Sequence, residues 1–131
     1  MKYQLNDLES VLPVINAEGD RKKFQYRGLQ CRCVRHPVYF HWCGYVEVPP
    51  EKAAGIRCDE PICHGGLTYK DEHAGSVILG FDAAHVGDWH HCPTSGFDGE
   101  YRTLNFAVAE IKKIADYVLD RKDDQWIQAN E

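Results

Sequence analysis

The spacing of apolar residues near the carboxyl end of the chain constrains the fold most. Between residues 102 and 121, apolar side chains recur every three or four positions, with lysine and aspartate between them. The stripe consists of Leu104, Val108, Ile111, Ala115, Val118 and Leu119. Thr103 and Asp98 are both candidates for the residue that helps to start the helix. The pattern predicts one amphipathic helix, whose apolar face must pack on another layer of structure.

The middle of the chain supplies strands for that layer. Phe24–His36 and Val38–Val48 are rich in aromatic and β-branched residues, which predicts two strands of a hairpin around Pro37. Gly66–Lys70 is predicted to be a short strand, followed by a turn over residues 71–75. The apolar run Val77–Phe81 is predicted to be a central buried strand. We therefore expect an α+β fold, in which an antiparallel or mixed sheet of four or five strands is covered by the C-terminal helix.

The ends and connections complete this prediction. Leu5, Leu8, Leu12 and Ile15 have near-helical spacing, but Pro13 is expected to break or shorten a helix there. Residues 49–63 and 83–100 are predicted to be loops. A chain of 131 residues has enough material for one hydrophobic core, so residues 1–131 are expected to form a single domain.

Net charge and hydropathy exclude several classes of protein. The formal net charge of −5 argues against binding to long nucleic acids, which depends on a basic surface. No stretch approaches the ~20 apolar residues that span a bilayer, so no membrane partner is expected. The first residues lack the apolar core of a signal peptide, and a cytoplasmic location is therefore expected.

The basic residues are concentrated near the start of the chain. Residues 1–36 contain seven basic and four acidic side chains. The basic strip between Arg21 and Arg35 is suited to attract a small phosphorylated ligand. The alternative, which the pattern favours, is a solvated hairpin surface.

Six cysteines leave two alternatives open. In a chain without a signal peptide they are expected to be reduced thiols or metal ligands rather than disulfides. The zinc alternative would draw on residues of two separate loops, namely Cys58, Cys63, His64, His90, His91 and Cys92. Their spacing matches no standard zinc module, and reduced thiols are favoured.

Two motifs carry residues suited to chemistry. His64 precedes Gly65 and Gly66, and paired glycines let backbone amides approach an anion closely. The structural alternative is a glycine turn that leads into a strand, and the pattern favours neither. Thr68 lies in the same segment and is a candidate ligand-binding residue.

The second motif, Asp82-x-x-His85-x-x-Asp88, follows the predicted central strand. Its carboxylates and imidazole, joined by His64, suit a divalent metal such as zinc or manganese and equally suit acid–base catalysis. The structural alternative is a short turn that Asp82 and Asp88 cap. Tyr45, Tyr69, Trp42 and Trp89 are candidates for the wall of a pocket, although core packing is the favoured role of each one alone.

The order of these motifs resembles that of a family of small bacterial and bacteriophage proteins of unassigned function. The family pattern reads G-Y-V-x-V-P, H-G-G-L-T-Y, G-F-D-C-A-H-x-G-D and Y-R-x-L before a terminal helix, and the resemblance spans roughly residues 43–119. The positions His64, Thr68, Asp82, His85 and Asp88 match it. This chain has Ala83 where the family has cysteine, so a cysteine nucleophile at that position is excluded. The resemblance implies that these residues form a shared site. If the protein is phage-encoded, its expected location is the host cytoplasm.

Three functions are consistent with these residues. The first is a metal-assisted hydrolase in which His64, Asp82, His85 and Asp88 hold a divalent ion or supply the base. Its substrate would be nucleotide-like or phosphorylated, steadied by the Gly65 and Gly66 amides. The second, which the phage association of the resemblance implies, is a non-catalytic counter-defence protein that sequesters a nucleotide signal, with a pocket that such proteins often form at a homo-oligomer interface. The third is an inhibitor of a host enzyme, in which the histidine–aspartate cluster only holds the loops.

Overall fold

The described part of the fold consists of three helices and five short strands. The computed structural model describes residues 8–85, 87–91 and 99–121. In chain order the elements are α1 (Leu8–Glu18), β1 (Arg21–Tyr26), β2 (Leu29–Arg35), β3 (Trp42–Val48), α2 (Pro50–Ala53), β4 (Tyr69–His73), β5 (Ser76–Asp82) and α3 (Leu104–Asp120). The predictions that involve Leu5, Cys92 and Asp98 lie outside the described residues.

The five strands form one antiparallel sheet in the order β1-β2-β3-β5-β4. This confirms the predicted α+β class with a C-terminal helix. The prediction that the run Val77–Phe81 is a central strand is confirmed, because β5 pairs with β3 on one side and with the edge strand β4 on the other. The buried character of β5 is confirmed, since Val77, Leu79 and Phe81 are at most 2% exposed.

The first hairpin lies where one continuous strand was predicted. Arg27 and Gly28 have φ values of 50° and 84°, and Tyr26 pairs with Leu29 across them. Two consecutive residues with positive φ form a tight hairpin turn, so the single strand predicted over Phe24–His36 is wrong. The predicted pairing of the next two strands is confirmed as β2 with β3, although residues 36–41 form the connection and β3 begins only at Trp42.

Three further boundaries differ from the prediction. The strand predicted over Gly66–Lys70 lies at Tyr69–His73, because the turn that follows it is only Ala74–Gly75, with φ values of 51° and 82°. The predicted loop at residues 49–63 contains the short helix α2, which starts at a proline. Pro13 lies inside α1 and does not break it.

Helix α3 covers one face of the sheet, as predicted. It begins after Thr103, whose side-chain oxygen accepts a hydrogen bond of 3.1 Å from the amide of Phe106. Its Ile111 packs so closely on Gly44 of β3 that a Cβ at that glycine would lie 2.7 Å from Ile111 Cγ1. Tyr45 follows Gly44 by one position on β3, and it pairs with Gly80 of β5. The side-chain positions of residues 45 and 80 therefore face the side of the sheet opposite α3. Among the described helices, none is long and apolar enough to cross a membrane.

Candidate functional site

A short parallel bridge places Asp88 beside the start of α3. The amide of Glu100 donates to the Gly87 carbonyl and the amide of Trp89 donates to the Glu100 carbonyl, each over 2.9 Å. Two residues after Glu100, the side chain of Arg102 returns to Asp88. The bridge thus carries the carboxylate of Asp88 into the protein, where its exposed fraction is 0%.

The carboxylate of Asp88 accepts hydrogen bonds from three other residues. Arg102 Nε donates to Oδ1 over 2.7 Å, the His85 amide donates to Oδ2 over 3.0 Å, and His64 Nε2 lies 2.6 Å from Oδ2. Burial by itself raises the pKa of this carboxyl group. The hydrogen bonds from Arg102, the His85 amide and His64 outweigh burial and hold the pKa of Asp88 below its usual value. Asp88 is therefore a buried, oriented anion at neutral pH.

His64 is held at its backbone by α3. Its amide donates to Glu110 Oε1 over 2.7 Å, and Lys113 Nζ lies 2.7 Å from Glu110 Oε2. Its ring meets Phe106 edge to face with the centroids 5.0 Å apart. These contacts leave the His64 side chain 23% exposed and point Nε2 at Asp88.

His85 follows β5 and turns back toward both aspartates of its motif. Its Nδ1 lies 3.6 Å from Asp82 Oδ1 and 3.8 Å from Asp88 Oδ2. Both distances exceed a hydrogen bond, and among the described residues this buried nitrogen has no hydrogen-bond partner. Asp82 Oδ1 accepts instead from the Ala84 amide over 3.1 Å, as in the turn that is the structural alternative for this motif.

The structure brings together three of the four predicted metal ligands. His64, His85 and Asp88 each offer one ligand atom, and these atoms lie within 4.8 Å of one another, so the group could hold a metal ion. Asp82 is not part of this group but borders it through His85. His64 Nε2 and Asp88 Oδ2 already share a hydrogen bond of 2.6 Å, and a metal ion held by these two atoms would replace it. The group contains no cysteine.

Gly65 matters for packing. Its φ is +70°, and a Cβ there would overlap the ring of His85. The absence of a side chain therefore lets the imidazole of His85 lie against the backbone. The Gly66 amide is already engaged, because it donates to the Cys63 carbonyl over 2.9 Å. This hydrogen bond fits the turn alternative better than the anion site predicted at the Gly65 and Gly66 amides.

We expect the substitution Gly65→Ala to destabilise the protein by more than the cost of its backbone conformation alone. A non-glycine residue in the left-handed region costs ~1–2 kcal/mol. The displaced His85 ring adds to that cost. The measurement is the free energy of unfolding in urea. Gly75→Ala is a matched control, because Gly75 has a φ of +82° and nothing within 4 Å of the added Cβ. Equal losses in the two variants would show that the His85 ring yields freely.

The candidate ligand-binding tyrosines lie on the face of the sheet opposite α3. Tyr45 and Tyr69 meet edge to face with their ring centroids 5.4 Å apart. The Thr68 amide donates to the Gly80 carbonyl over 2.9 Å, and the residue is exposed. By contrast, Trp42 and Trp89 are 0% and 3% exposed and belong to the core, which confirms the favoured packing role.

The residues of the cysteine–histidine alternative are dispersed. His90 packs edge to face on Tyr39, and His91 stacks on Phe40 with centroids 5.0 Å apart. Cys58 is exposed and Cys63 is a free thiol, and burial is the main reason that the pKa of Cys63 is raised to about 12. Within the described ranges, these residues do not join in a group of three ligands.

Sequence reasoning missed the residues that orient the cluster. Arg102 lies in the Y-R-x-L segment, and Glu110 and Lys113 lie in the helix predicted over residues 102–121, but none of the three was predicted to contact the site. One signal was present: Glu110 interrupts the apolar face between Ala107 and Ile114, and the structure shows it 3% exposed. A buried carboxylate needs partners, so its position could have indicated a contact with a loop.

Comparison with known proteins adds no identity: no protein-family model, curated protein or solved structure matches this chain.

Proposed function

We propose that this protein is a divalent-metal-dependent hydrolase of small phosphorylated substrates. The observation that carries the proposal is the convergence of His64, His85 and Asp88, in which a buried imidazole nitrogen of His85 faces two carboxylates without a hydrogen bond. An unsatisfied buried nitrogen is costly in a purely structural network. A metal ion at this position would satisfy it.

The residues of the site have separate roles in this proposal. His64, His85 and Asp88 hold the ion, and mixed nitrogen and oxygen ligands suit zinc or manganese. A bound ion lowers the pKa of its water toward neutrality and so supplies a nucleophile. In this proposal Asp82, whose side chain is 35% exposed beside His85, accepts the proton of that water.

Arg102 acts as a positioning residue. Its Nε holds Asp88 Oδ1 at 2.7 Å, which leaves Oδ2 directed at the two histidines. Outer hydrogen bonds of this kind fix the orientation of a metal ligand and change metal affinity about 10–100-fold when removed.

We expect the purified full chain, without a metal-binding tag, to bind one zinc or manganese ion. Replacing His85 with alanine should weaken binding more than about a hundredfold, since a direct ligand contributes more than an outer hydrogen bond. Because His85 Nδ1 makes no hydrogen bond, the variant should remain folded. The measurements are elemental analysis, calorimetric metal titration and circular dichroism.

The matched control is His73→Ala, which removes an exposed histidine from β4. Equal metal affinity in the two variants would overturn the site. The activity test is the release of p-nitrophenol from p-nitrophenyl phosphate and from its diester by the metal-loaded protein. Activity should disappear with chelator and in Asp82→Asn. A protein that binds metal but hydrolyses neither ester would contradict the hydrolytic role.

A further inference from the structure

Five residues form one line across the open face of the sheet. Successive register pairs join Lys23 to Arg32, Arg32 to Tyr45, Tyr45 to Gly80, and Gly80 to Tyr69. Side chains of directly paired residues project from the same face of a sheet. We name this line the tyrosine row. It presents two cations on β1 and β2 and two aromatic rings on β3 and β4.

Gly80 shapes the aromatic part of the tyrosine row. A Cβ at Gly80 would lie 2.6 Å from Tyr45 Cδ1, so glycine allows the ring of Tyr45 to lie over β5. There it meets Tyr69, which is 40% exposed. The two rings thus offer aromatic surface to solvent above Gly80, where a larger residue would displace the ring of Tyr45.

The cationic part of the row is continuous with the rings. The guanidinium of Arg32 lies 5.0 Å from the centroid of Tyr45. Lys23, Arg32 and Tyr45 line one depression of about 230 Å³ together with Gln30, Glu47 and Ile78. This volume is below the roughly 300–1,000 Å³ of a site that encloses a drug-sized ligand. The depression therefore suits one ring system or one phosphate, with the rest of a ligand extending along the row.

We propose that the tyrosine row binds a nucleoside 5′-monophosphate. The base stacks on the exposed ring of Tyr69, since aromatic side chains stack on every base, and the ring of Tyr45, which is nearly perpendicular to that of Tyr69, borders the base. Arg32 and Lys23 hold the phosphate, and this basic cluster is a local exception in a chain of net charge −5. The carboxylate of Glu47 repels the phosphate and accepts a hydrogen bond from an amino group on the base.

The row also lies next to the candidate metal site. Asp82 follows Gly80 by two residues on the same face of β5, a distance of about 7 Å along the strand. In this arrangement the base is the part of the ligand nearest the cluster, because Arg32 and Lys23 hold the phosphate on β2 and β1, two and three strands away from β5. Binding to the row therefore does not depend on the proposed hydrolysis.

The test is a calorimetric titration of the full chain with AMP, GMP, CMP and UMP at low ionic strength in the presence of EDTA. We expect at least one of the three nucleotides with an exocyclic amino group to bind, and UMP to bind most weakly. Tyr69→Leu should weaken binding about tenfold or more. Arg32→Gln should weaken binding and reduce its dependence on salt.

The matched control is Tyr117→Leu, which removes from α3 a tyrosine that is 41% exposed, close to the 40% of Tyr69. Its affinity should equal that of the wild type. The proposal is overturned if none of the four nucleotides binds at millimolar concentration, or if Tyr69→Leu behaves like Tyr117→Leu. Equal binding of ribose 5-phosphate would also overturn it, because the rings would then contribute nothing. Much tighter binding of a single-stranded oligonucleotide would overturn the proposal in favour of a longer ligand.

Failure of the metal site and failure of the row are distinguishable. His85→Ala in EDTA should bind nucleotide as the wild type does, and Tyr69→Leu should bind metal as the wild type does. Loss of nucleotide binding in metal-free His85→Ala would contradict an independent row. If nucleotide binds but no metal does, the row stands and the hydrolase falls, which leaves the non-catalytic nucleotide-binding protein of the second hypothesis.

Discussion

Replacing Asp88 with alanine should lower the free energy of unfolding by about 3–5 kcal/mol, the range for removing one partner of a buried ion pair. The carboxylate lies at 0% exposure and joins Arg102, the His85 amide and His64. Its loss would leave a guanidinium that is only 24% exposed without its closest anion. The same change would remove the acceptor of the His85 amide. Urea denaturation of the variant and the wild type measures the difference.

The control uses the same arginine. Arg102 also pairs with Glu100 over 3.1 Å, but Glu100 is 54% exposed. Exposed ion pairs contribute about 0–1 kcal/mol, so Glu100→Gln should be nearly neutral. A loss below about 1 kcal/mol for Asp88→Ala would contradict the central role of the buried carboxylate. The result also separates a structural role from a metal-binding role. Asp88 is expected to contribute to both stability and metal binding, whereas His85→Ala is expected to lose metal binding and remain folded.

The fold was predictable where the sequence pattern reports burial directly. The apolar stripe predicted α3, and the run Val77–Phe81 predicted a buried strand. The errors came from local backbone effects. Arg27–Gly28 contains only one glycine, and its neighbours are as β-prone as a continuous strand, so the turn had no clear signal. Pro13 is tolerated in α1, where packing of Val11 and Ile15 in the core offsets the lost hydrogen bond.

The site was predictable by residue type but not by partner. Histidine and aspartate in two glycine-containing loops indicated a cluster, and the structure brings His64, His85 and Asp88 together. The pairing of Asp88 with Arg102 depends on the bridge to Glu100, which no periodicity reveals. The tyrosine row depends on the register of four strand pairs, and a shift by one residue would reverse the face of every side chain. Register of this kind follows from the whole sheet.

A second cluster of histidines lies outside the candidate metal site. His41 is 6% exposed and stacks on His36 with ring centroids 4.9 Å apart. Burial, with further contributions from His36 and His90, lowers the pKa of His41 to about 4, although the charges of Asp82 and Asp88 act in the opposite direction. His41 Nδ1 has no hydrogen-bond partner among the described residues. The folded protein therefore keeps this ring neutral.

The protein should lose stability in mild acid because of His41. The unfolded chain binds a proton at this residue below its ordinary pKa of 6.5, whereas the folded chain does so only near pH 4. The contribution of neutral His41 to the free energy of unfolding is fully present above pH 6.5 and is lost as the pH falls toward 4. A difference of about 2.5 pKa units corresponds to ~3 kcal/mol. Urea denaturation at intervals between pH 7.5 and pH 4 should show this fall.

His41→Phe isolates the contribution, because phenylalanine keeps a flat ring against His36 and does not titrate. Acidic residues titrate in the same pH range in both proteins, so the difference between the two stability curves reports on His41 alone. The variant should gain stability relative to the wild type as the pH falls, by up to ~3 kcal/mol near pH 4. His73→Gln is the control, because His73 is exposed in β4 and should leave the curve unchanged. A constant offset between His41→Phe and the wild type at every pH would mean that the folded protein admits a proton at His41 as readily as the unfolded chain does.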